Sequence, residues 1–408
     1  MNKELIQKYA SLIVNVGAAV KEGQYVLIRT TPDQEEFAAV VSEECYKAGA
    51  KRVCFEWRSQ VLDRVDYQYA SKENLARMTA FDMGFQEFQT EDLPVLIWLD
   101  AEDPDALKVI DAKKMAEVKA ARYNAAKKLI EDREDKYQWC IAGCPSVKWA
   151  KKVFPGLSDE EAYEKLWEAI LFTSRANDGN GIENWKSHEE ELKKRCDALN
   201  AMNLRELHYL SKNGTDLRIG LIPGVIFLGG GEKAMDGTIY QPNIPTEECF
   251  TSPMKGKAEG MVHASKPLVY NGNVIEDFYF VFHEGKVVEC HAKKGEEVLK
   301  SILTLDEGAS YLGEAALVPF SSPINETGLL FFNTLYDENA CCHLAIGRGF
   351  PMLYPNFRKY SADDILSFGI NRSLSHVDFM IGTADLSIVG TKENGEEVQI
   401  FKNGTWAF

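Results

Sequence analysis

Long apolar runs are missing from this chain of 408 residues. No segment reaches the roughly 18 uninterrupted apolar residues that a membrane-spanning helix requires. The opening residues, MNKELIQKYASLIVNVGAAV, mix Lys and Glu and lack a basic segment followed by a clean apolar run. They predict a first amphipathic helix rather than a secretory signal. We therefore expect a protein without a membrane partner.

Basic residues are also fewer than acidic residues. The sequence has 46 Lys and Arg residues against 62 Asp and Glu residues, and its formal net charge is −16. Binding to nucleic acid requires a local excess of cations, so this balance argues against a nucleic-acid partner. The nine cysteines are an odd number without a regular framework. They favour reduced thiols and a cytoplasmic location over a disulfide scaffold.

Nucleotide-binding motifs are absent as well, although the first third of the chain alternates strands and helices. No GxGxxG follows a predicted strand, and no GxxxxGK[ST] occurs. Strands are predicted over 24–30, 52–58 and 93–101, and a helix over 32–50 connects the first two. This order predicts a parallel sheet with helices packed on it.

The middle of the chain is predicted to be helical. Residues 101–135 and 182–203 are rich in Ala, Lys and Glu at helical spacing, and Ser158 followed by Glu161 is typical of a capping box.

The pattern changes again from Leu207 onward. Turn-forming pairs separate β-rich segments there, and they predict hairpins at Asn213-Gly214, Asn271-Gly272, Glu284-Gly285, Asn394-Gly395 and Asn403-Gly404. We predict an α+β protein of two domains. The N-terminal α/β domain, with a parallel sheet and a helical extension, covers 1–200, and the C-terminal antiparallel β-rich catalytic domain, with helices, covers 201–408.

The segment SLSHVDFMIG contains the first candidate site. Alternate residues of a strand point to the same face, so His376 and Asp378 share one side of this segment. A buried histidine that is hydrogen-bonded to a nearby acid explains this pair, and so does a metal site. Both interpretations stay open from these two residues alone.

Three further segments carry acids beside turns or small residues. NIPTEECFTSP contains Glu247 and Glu248, YLGEAALVP contains Glu314, and NTLYDENACCHLAIGRGF contains Glu338 and His343. A lone carboxylate in apolar surroundings is costly to bury unless a cation compensates its charge. Imidazole with carboxylate suits Zn²⁺, Co²⁺ or Mn²⁺, and the surplus of carboxylates suggests two ions about 3.5 to 4 Å apart.

These four motifs, in this order, resemble those of the thermophilic aminopeptidase family, the aminopeptidase S and aminopeptidase T metallopeptidases. The segments VKEGQYVLIRT, KPLVYNGNVIEDF and EGKVVECHAKKGEEVL are also similar to that family, and the resemblance covers nearly the whole chain. It implies a metallo-aminopeptidase that removes N-terminal residues from short peptides. It also implies two divalent metal ions, metal-activated water and a homodimer.

The resemblance also implies the site residues. The metal ligands would be Glu248, Glu314, Glu338, His343, His376 and Asp378. Of these, Glu248 and Glu314 are the predicted catalytic carboxylates, and the general base stays open between a metal-bridging carboxylate, Glu247 and Glu314. The family commonly has Gly at the position of Glu247, which makes Glu247 the less expected ligand.

One position departs from the family pattern. Phe350 stands seven residues beyond His343, where the family typically has an active-site tyrosine. A phenyl ring cannot donate a hydrogen bond, so Tyr354 is the candidate to reach the same space, and both residues are predicted to contact substrate. The departure leaves one alternative open, a catalytically degenerate, metal-containing relative that binds a small ligand. A binding module built on the N-terminal α/β unit is the other alternative.

Overall fold

The computed structural model of the protein describes residues 2–134 and 136–408. Within these residues, no helix combines the length and the apolar character that crossing a membrane needs. The chain forms two compact units, one made of the residues up to Ser187 together with Gly231–Pro245, the other of His188–Gly230 and Thr246–Phe408. The predicted domain ranges 1–200 and 201–408 stay a prediction.

The first unit is built on a parallel sheet. Its strands lie side by side in the order Arg52–Trp57, Tyr25–Thr30, Val95–Asp100, Trp139–Gly143 and Asn243–Ile244. A short antiparallel pair, Glu232–Lys233 with Ile239–Tyr240, belongs to the same unit. The predicted parallel sheet is confirmed.

The first unit also contains helices. They are Lys3–Leu12, Glu35–Lys47, Gln60–Tyr69, Lys72–Ala76, Ala80–Glu91, Ala112–Arg133, Val147–Val153 and Asp159–Thr173. The helix Gly181–Ala201 begins in this unit and continues beyond Ser187, where the second unit starts. A π-helical turn, Ile13–Gly17, follows the first helix, and a 3-10 turn, Pro32–Gln34, precedes the second.

Local sequence explains where several of these helices begin and end. Ser158 and Glu161 form the predicted capping box, in which each side chain accepts a hydrogen bond from the other residue's backbone N–H. Gly49 has a φ of 92° just beyond the helix Glu35–Lys47, a conformation that glycine adopts without strain. The helix predicted from residue 101 begins only at Ala112, because residues 104–109 form turns and Asp111 caps the helix. Asp135, its predicted end, lies outside the described residues.

The second unit is dominated by antiparallel strands. A large sheet has the order Leu268–Tyr270, Asn273–His283, Pro253–His263, Asp216–Leu221, Leu204–Leu210, Ser387–Lys392, Glu397–Lys402 and Thr405–Trp406, with Lys286–Lys294 also paired to Asn273–His283. A four-stranded sheet has the order Cys249–Thr251, Leu312–Leu317, His343–Gly347 and His376–Met380. These sheets confirm the predicted α+β class and its antiparallel C-terminal part.

Short helices connect the strands of this unit. They are Glu296–Leu303, Pro323–Glu326, Thr334–Glu338 and Ala362–Ser367, and 3-10 turns occupy Glu307–Ser310, Pro351–Leu353 and Phe357–Lys359. The apolar residues of both sheets pack into one core that contains Phe280, Leu344 and Phe379. Burying these side chains is the main source of stability, at about 25 cal/mol for each Å² of apolar surface.

The five predicted hairpins are confirmed, since each turn pair separates two strands that pair antiparallel. At Asn271-Gly272 and Asn403-Gly404 both residues have positive φ, the backbone of a type I′ turn. Asn and Gly tolerate this conformation better than other residues.

Candidate metal centre

Four of the predicted ligands share one face of the four-stranded sheet. Glu314 and Asp378 both pair with Ala345 of the strand between them, one from each side. Residues directly opposite in an antiparallel sheet point to the same face, and so do residues two apart in one strand. His343 precedes Ala345 by two positions and His376 precedes Asp378 by two, so both imidazoles point to that face. The small methyl group of Ala345 leaves room between the two carboxylates.

The other two predicted ligands come from segments beside the sheet. Glu248 directly precedes the edge strand Cys249–Thr251, and Glu338 is the last residue of the helix Thr334–Glu338. The negative charges of Asp378 and Glu248 both act on the buried carboxyl of Glu338. The structure therefore brings all six predicted ligands together.

The distances divide these side chains into two groups. His343 Nε2 lies 3.1 Å from Glu248 Oε2, and the ligand atoms of Glu248, Glu314 and His343 all lie within 4.8 Å of one another. His376 Nε2 lies 3.0 Å from Glu314 Oε2 and 3.2 Å from Asp378 Oδ1. Glu314, His376 and Asp378 meet the same 4.8 Å limit. Glu314 is common to both groups, as expected of a carboxylate between two cations.

Backbone carbonyls orient both imidazoles. His376 Nδ1 lies 2.7 Å from the carbonyl oxygen of Arg348, and His343 Nδ1 lies 3.4 Å from that of Cys341. A ring that donates its Nδ1–H to a carbonyl leaves Nε2 with a lone pair for a cation, the usual arrangement of histidine ligands. In both residues Nε2 is the atom that faces the carboxylates.

Burial and repulsion between neighbouring carboxylates make Glu314 and Glu338 hard to ionise. The pKa of Glu314 is raised to about 7, chiefly by burial and also by the charges of Glu248 and Asp378, while the hydrogen bond from His376 opposes the rise. Burial also raises the pKa of Glu338 well above its usual range, with Asp378 and Glu248 adding to the effect.

The histidines respond in the opposite sense. Burial alone would lower the pKa of both imidazoles, but neighbouring carboxylates outweigh it, chiefly Glu248 for His343 and Asp378 for His376. Both histidine pKa values are raised well above the usual range. Burial would raise the pKa of Asp378, yet the charge of His376 holds it low. These shifts reflect the density of carboxylates around the two rings, and a divalent cation among the carboxylates would take the place of the protons.

Residue chemistry supports the same conclusion. Four carboxylates and two imidazoles are ligands that borderline divalent ions such as Zn²⁺, Co²⁺ and Mn²⁺ prefer. Buried acids at this density require positive charge, and cations between them would provide it. The residues present therefore fit a divalent metal centre.

Comparison with known proteins identifies the family. The sequence matches the family described as thermophilic metalloprotease (M29) over residues 2–406. Aminopeptidase AmpS of Bacillus subtilis (strain 168) is 39% identical over 407 residues, a match that covers 99% of this chain and 98% of that protein. The chain belongs to the thermophilic metalloprotease (M29) family. The family resemblance seen in its motifs is thereby confirmed.

Two further comparisons agree with this assignment. Aminopeptidase 2 of Geobacillus stearothermophilus is 38% identical over 410 residues, covering 100% of this chain and 98% of that protein. The solved structure of wild-type AmpT from Thermus thermophilus matches with a TM-score of 0.90 and 34% identity, covering 100% of both chains. Membership confirms the predicted enzyme class, a metallo-aminopeptidase, and implies a divalent metal cofactor.

Phe350 lies beside the centre of this M29 protein. Its ring centroid is 5.0 Å from that of His376 and 5.3 Å from that of Phe250, and its backbone N–H donates to Ser252 Oγ at 2.9 Å. Phe250 comes two residues after Glu248 along the chain. The partly buried Phe350 ring therefore forms an apolar wall next to a proposed ligand.

Tyr354 lies elsewhere in the same unit. It stacks on Phe368 at 4.6 Å between ring centroids and meets Tyr360 edge-on at 5.5 Å. Its ring packs on a small apolar cluster that includes Ile222 and Ile370. These contacts give the predicted substrate role of Tyr354 no support.

Two residues of this region were not predicted from the sequence. Ala345 lies between two carboxylates, and Asn339 Oδ1 accepts a hydrogen bond from the backbone N–H of Glu247. Asn339 carried a weak sequence signal, since it is a polar residue between Glu338 and an apolar segment.

Proposed function

We propose that this protein is a two-metal aminopeptidase that hydrolyses N-terminal residues from short peptides. One observation carries the proposal, namely that two compact donor groups share Glu314. The relatives that are named aminopeptidases support the reaction class.

The donor groups suggest which residues hold each ion. Glu248, Glu314 and His343 would hold one cation, while Glu314, His376 and Asp378 would hold the other. Glu338 is the sixth proposed ligand. Its carboxyl interacts most strongly with that of Asp378, so we assign it to the second ion. Zn²⁺, Co²⁺ and Mn²⁺ all suit these oxygen and nitrogen donors.

The protein's own residues have two roles in the proposed reaction, beside the chemistry that bound cations would supply. Bound divalent cations would polarise the scissile carbonyl and lower the pKa of a water molecule. The Arg348 and Cys341 carbonyls keep the Nε2 atoms of His376 and His343 turned inward. A carboxylate oxygen of Glu314 or Glu248 accepts the proton of the attacking water and returns it to the leaving amine.

The two-metal arrangement also explains why a chain end would be preferred. The free amine of a peptide, in its neutral form, would be a ligand for one of the bound cations. An internal peptide nitrogen has its lone pair delocalised into the carbonyl and offers no such ligand. An endopeptidase substrate would therefore lack this contact.

Chelation tests the proposal directly. EDTA should abolish hydrolysis of Leu-p-nitroanilide, and Co²⁺ or Zn²⁺ added in excess should restore it, since the ions supply both activation and charge balance. Metal analysis of the purified protein by plasma emission spectroscopy should find about two ions per chain. Hydrolysis that continues unchanged after exhaustive chelation contradicts the scheme.

The degenerate relative that Phe350 left open is not favoured. Phe350 removes one hydrogen-bond donor beside His376, yet all six proposed ligands are present and gathered. Tight metal content without turnover on a panel of aminoacyl substrates would revive that alternative. The homodimer and the cytoplasmic location stay predictions.

A further inference from the structure

The side chain of Asn339 connects two segments that carry proposed ligands. It directly follows the helix Thr334–Glu338 and is 0% exposed. Its Oδ1 accepts a hydrogen bond of 2.8 Å from the backbone N–H of Glu247, the residue before Glu248. Its Nδ2 donates to Glu338 Oε1 at 3.4 Å. One amide therefore contacts the carboxylate of one proposed ligand and the backbone that leads into another.

The whole amide of Asn339 is used. Its Nδ2 also donates to the backbone carbonyl of Leu335 at 3.0 Å, four residues earlier. A primary amide offers an acceptor oxygen and two N–H donors, and this site employs all three. Asp would keep the acceptor and lose both donors. Ala would leave the buried N–H of Glu247 without its partner, which is costly.

We propose that Asn339 is a positioning residue of the metal centre. It holds the carboxylate of Glu338 and the backbone ahead of Glu248 at the separation that cation binding requires, although positions 339 and 247 are 92 residues apart in sequence. This inference rests on the proposed function. Asn339 contacts ligand-bearing segments rather than substrate.

A purely structural role would not explain the contact with Glu338. The bonds to Leu335 and Glu247 would stabilise a helix end and a loop in any protein. The third bond goes to a carboxyl that the charges of Asp378 and Glu248 repel. Holding such a group in place before the cation arrives is preorganisation, which partners of metal ligands commonly supply.

The test compares cation affinities of the full-length apoprotein. Asn339→Asp keeps the shape and the acceptor but loses the donors and adds a charge beside Glu338. Its dissociation constants for Zn²⁺ and Co²⁺, measured by competition with a chelator, should rise roughly 10- to 100-fold. Asn339→Ala adds no charge and decides the matter if the Asp variant fails to fold. It should also bind the ions about tenfold more weakly.

A matched control exists in the first unit. Asn184 Nδ2 donates to the carbonyl of Arg175 at 2.9 Å and to Asp178 Oδ1 at 3.0 Å, so it donates to one carbonyl and one carboxylate as Asn339 does, but on residues that are not proposed ligands. Asn184→Asp should lower the thermal unfolding temperature and leave cation affinity unchanged. This comparison separates general loss of stability from loss of positioning.

The outcomes are distinct. Folded Asn339 variants that bind Zn²⁺ and Co²⁺ as tightly as the wild type overturn the role of Asn339 and leave the proposed function standing. If Asn184→Asp weakens cation binding as much as the Asn339 variants do, the proposed role of Asn339 is also overturned. A wild-type protein that binds neither ion removes the proposed function, and the inference with it.

Discussion

Glu314 is the residue on which both donor groups depend. Glu314→Gln keeps its shape and removes its charge, so both ions lose a ligand and the reaction loses a candidate base. We expect kcat/KM for Leu-p-nitroanilide to fall roughly 10²- to 10⁴-fold, the range typical of removing an acid–base group. Emission spectroscopy should show reduced metal content in the same preparation.

Glu247 supplies the control for this change. It is a buried glutamate beside Glu248, but it belongs to neither compact donor group. Glu247→Gln should therefore retain both ions, and its activity separates Glu247 from Glu314 as the candidate general base. A Glu314→Gln protein that keeps two ions and wild-type turnover would show that the sharing of Glu314 has no functional meaning.

Phe350 permits a gain-of-function experiment. Phe350→Tyr adds a hydroxyl to a ring that packs on His376, at the position where the family typically has tyrosine. A donor that stabilises the tetrahedral intermediate is worth about 10²-fold or more where it is removed. We expect kcat to rise on the order of tenfold in this variant with KM little changed, since the donor acts in the transition state.

Tyr354→Phe is the converse experiment. Tyr354 stacks on Phe368 in the small apolar cluster, so removing its hydroxyl should leave kcat and KM at wild-type values. A fall in kcat for Tyr354→Phe, with no gain for Phe350→Tyr, would indicate that Tyr354 supplies the hydroxyl that stabilises the tetrahedral intermediate.

The side chains of the centre were predictable to different degrees. The six proposed ligands were named from motifs, and strand alternation placed His376 and Asp378 on one face. Ala345 and Asn339 were not predicted, because their positions depend on strand register and on a hydrogen bond between distant segments. Neither property is visible in a single sequence.

At the level of elements, the strand His343–Gly347 offers a sharper test of the centre. Ala345 lies between Glu314 and Asp378 on one face, while Ala315 of the adjacent strand pairs with Leu344, so it points to the other face. Ala345→Val places two methyl groups between the carboxylates. We expect it to lose bound metal and activity and to destabilise the fold by about 1–3 kcal/mol.

Ala315→Val, in the adjacent strand Leu312–Leu317, is the matched control for Ala345→Val. Both alanines are fully buried, so overpacking should cost a similar free energy of unfolding. The Ala315 variant should nevertheless keep its metal. Metal content would be measured by plasma emission spectroscopy and stability by urea unfolding. Equal loss of metal from both variants would contradict the inference that only Ala345 lies on the face that carries the proposed ligands.

Elements with local signals were the most predictable part of the fold. Asn-Gly turns and the Ser158 capping box depend on backbone preferences of a few adjacent residues, and they were confirmed. The helix predicted over 101–111 does not form, because turn formation around Pro104 outweighs the helical composition of these residues. The pairing of Asn243–Ile244 with a strand a hundred positions earlier had no local signal at all.

At the scale of the whole molecule, Glu102 makes stability depend on pH. The pKa of Glu102 is raised from 4.5 to about 7, chiefly by burial and also by the charges of Asp100 and Asp63, while Arg58 and Lys119 oppose the rise. The unfolded chain therefore releases this proton first as the pH rises. The free energy of unfolding falls between about pH 4.5 and pH 7, by up to roughly 3 kcal/mol from this group.

Glu102→Gln should remove the contribution of this one group to the pH dependence. The variant should match the wild type at pH 4 and be more stable at pH 8, as measured by urea unfolding monitored with circular dichroism. Glu91→Gln, a change at an exposed glutamate of the same unit, should leave both values unchanged. A Glu102→Gln variant whose stability relative to the wild type is the same at pH 4 and pH 8 would contradict the raised pKa of Glu102.

The first unit draws its last sheet strand, Asn243–Ile244, from beyond the start of the second unit. During synthesis the ribosome must add Leu204–Leu210 and Asp216–Leu221 before that strand exists. Until then, the edge of Trp139–Gly143 is open to pairing with another nascent chain. A fragment cut at residue 200 keeps this edge open permanently, so it should self-associate unless residues 231–245 are supplied in trans.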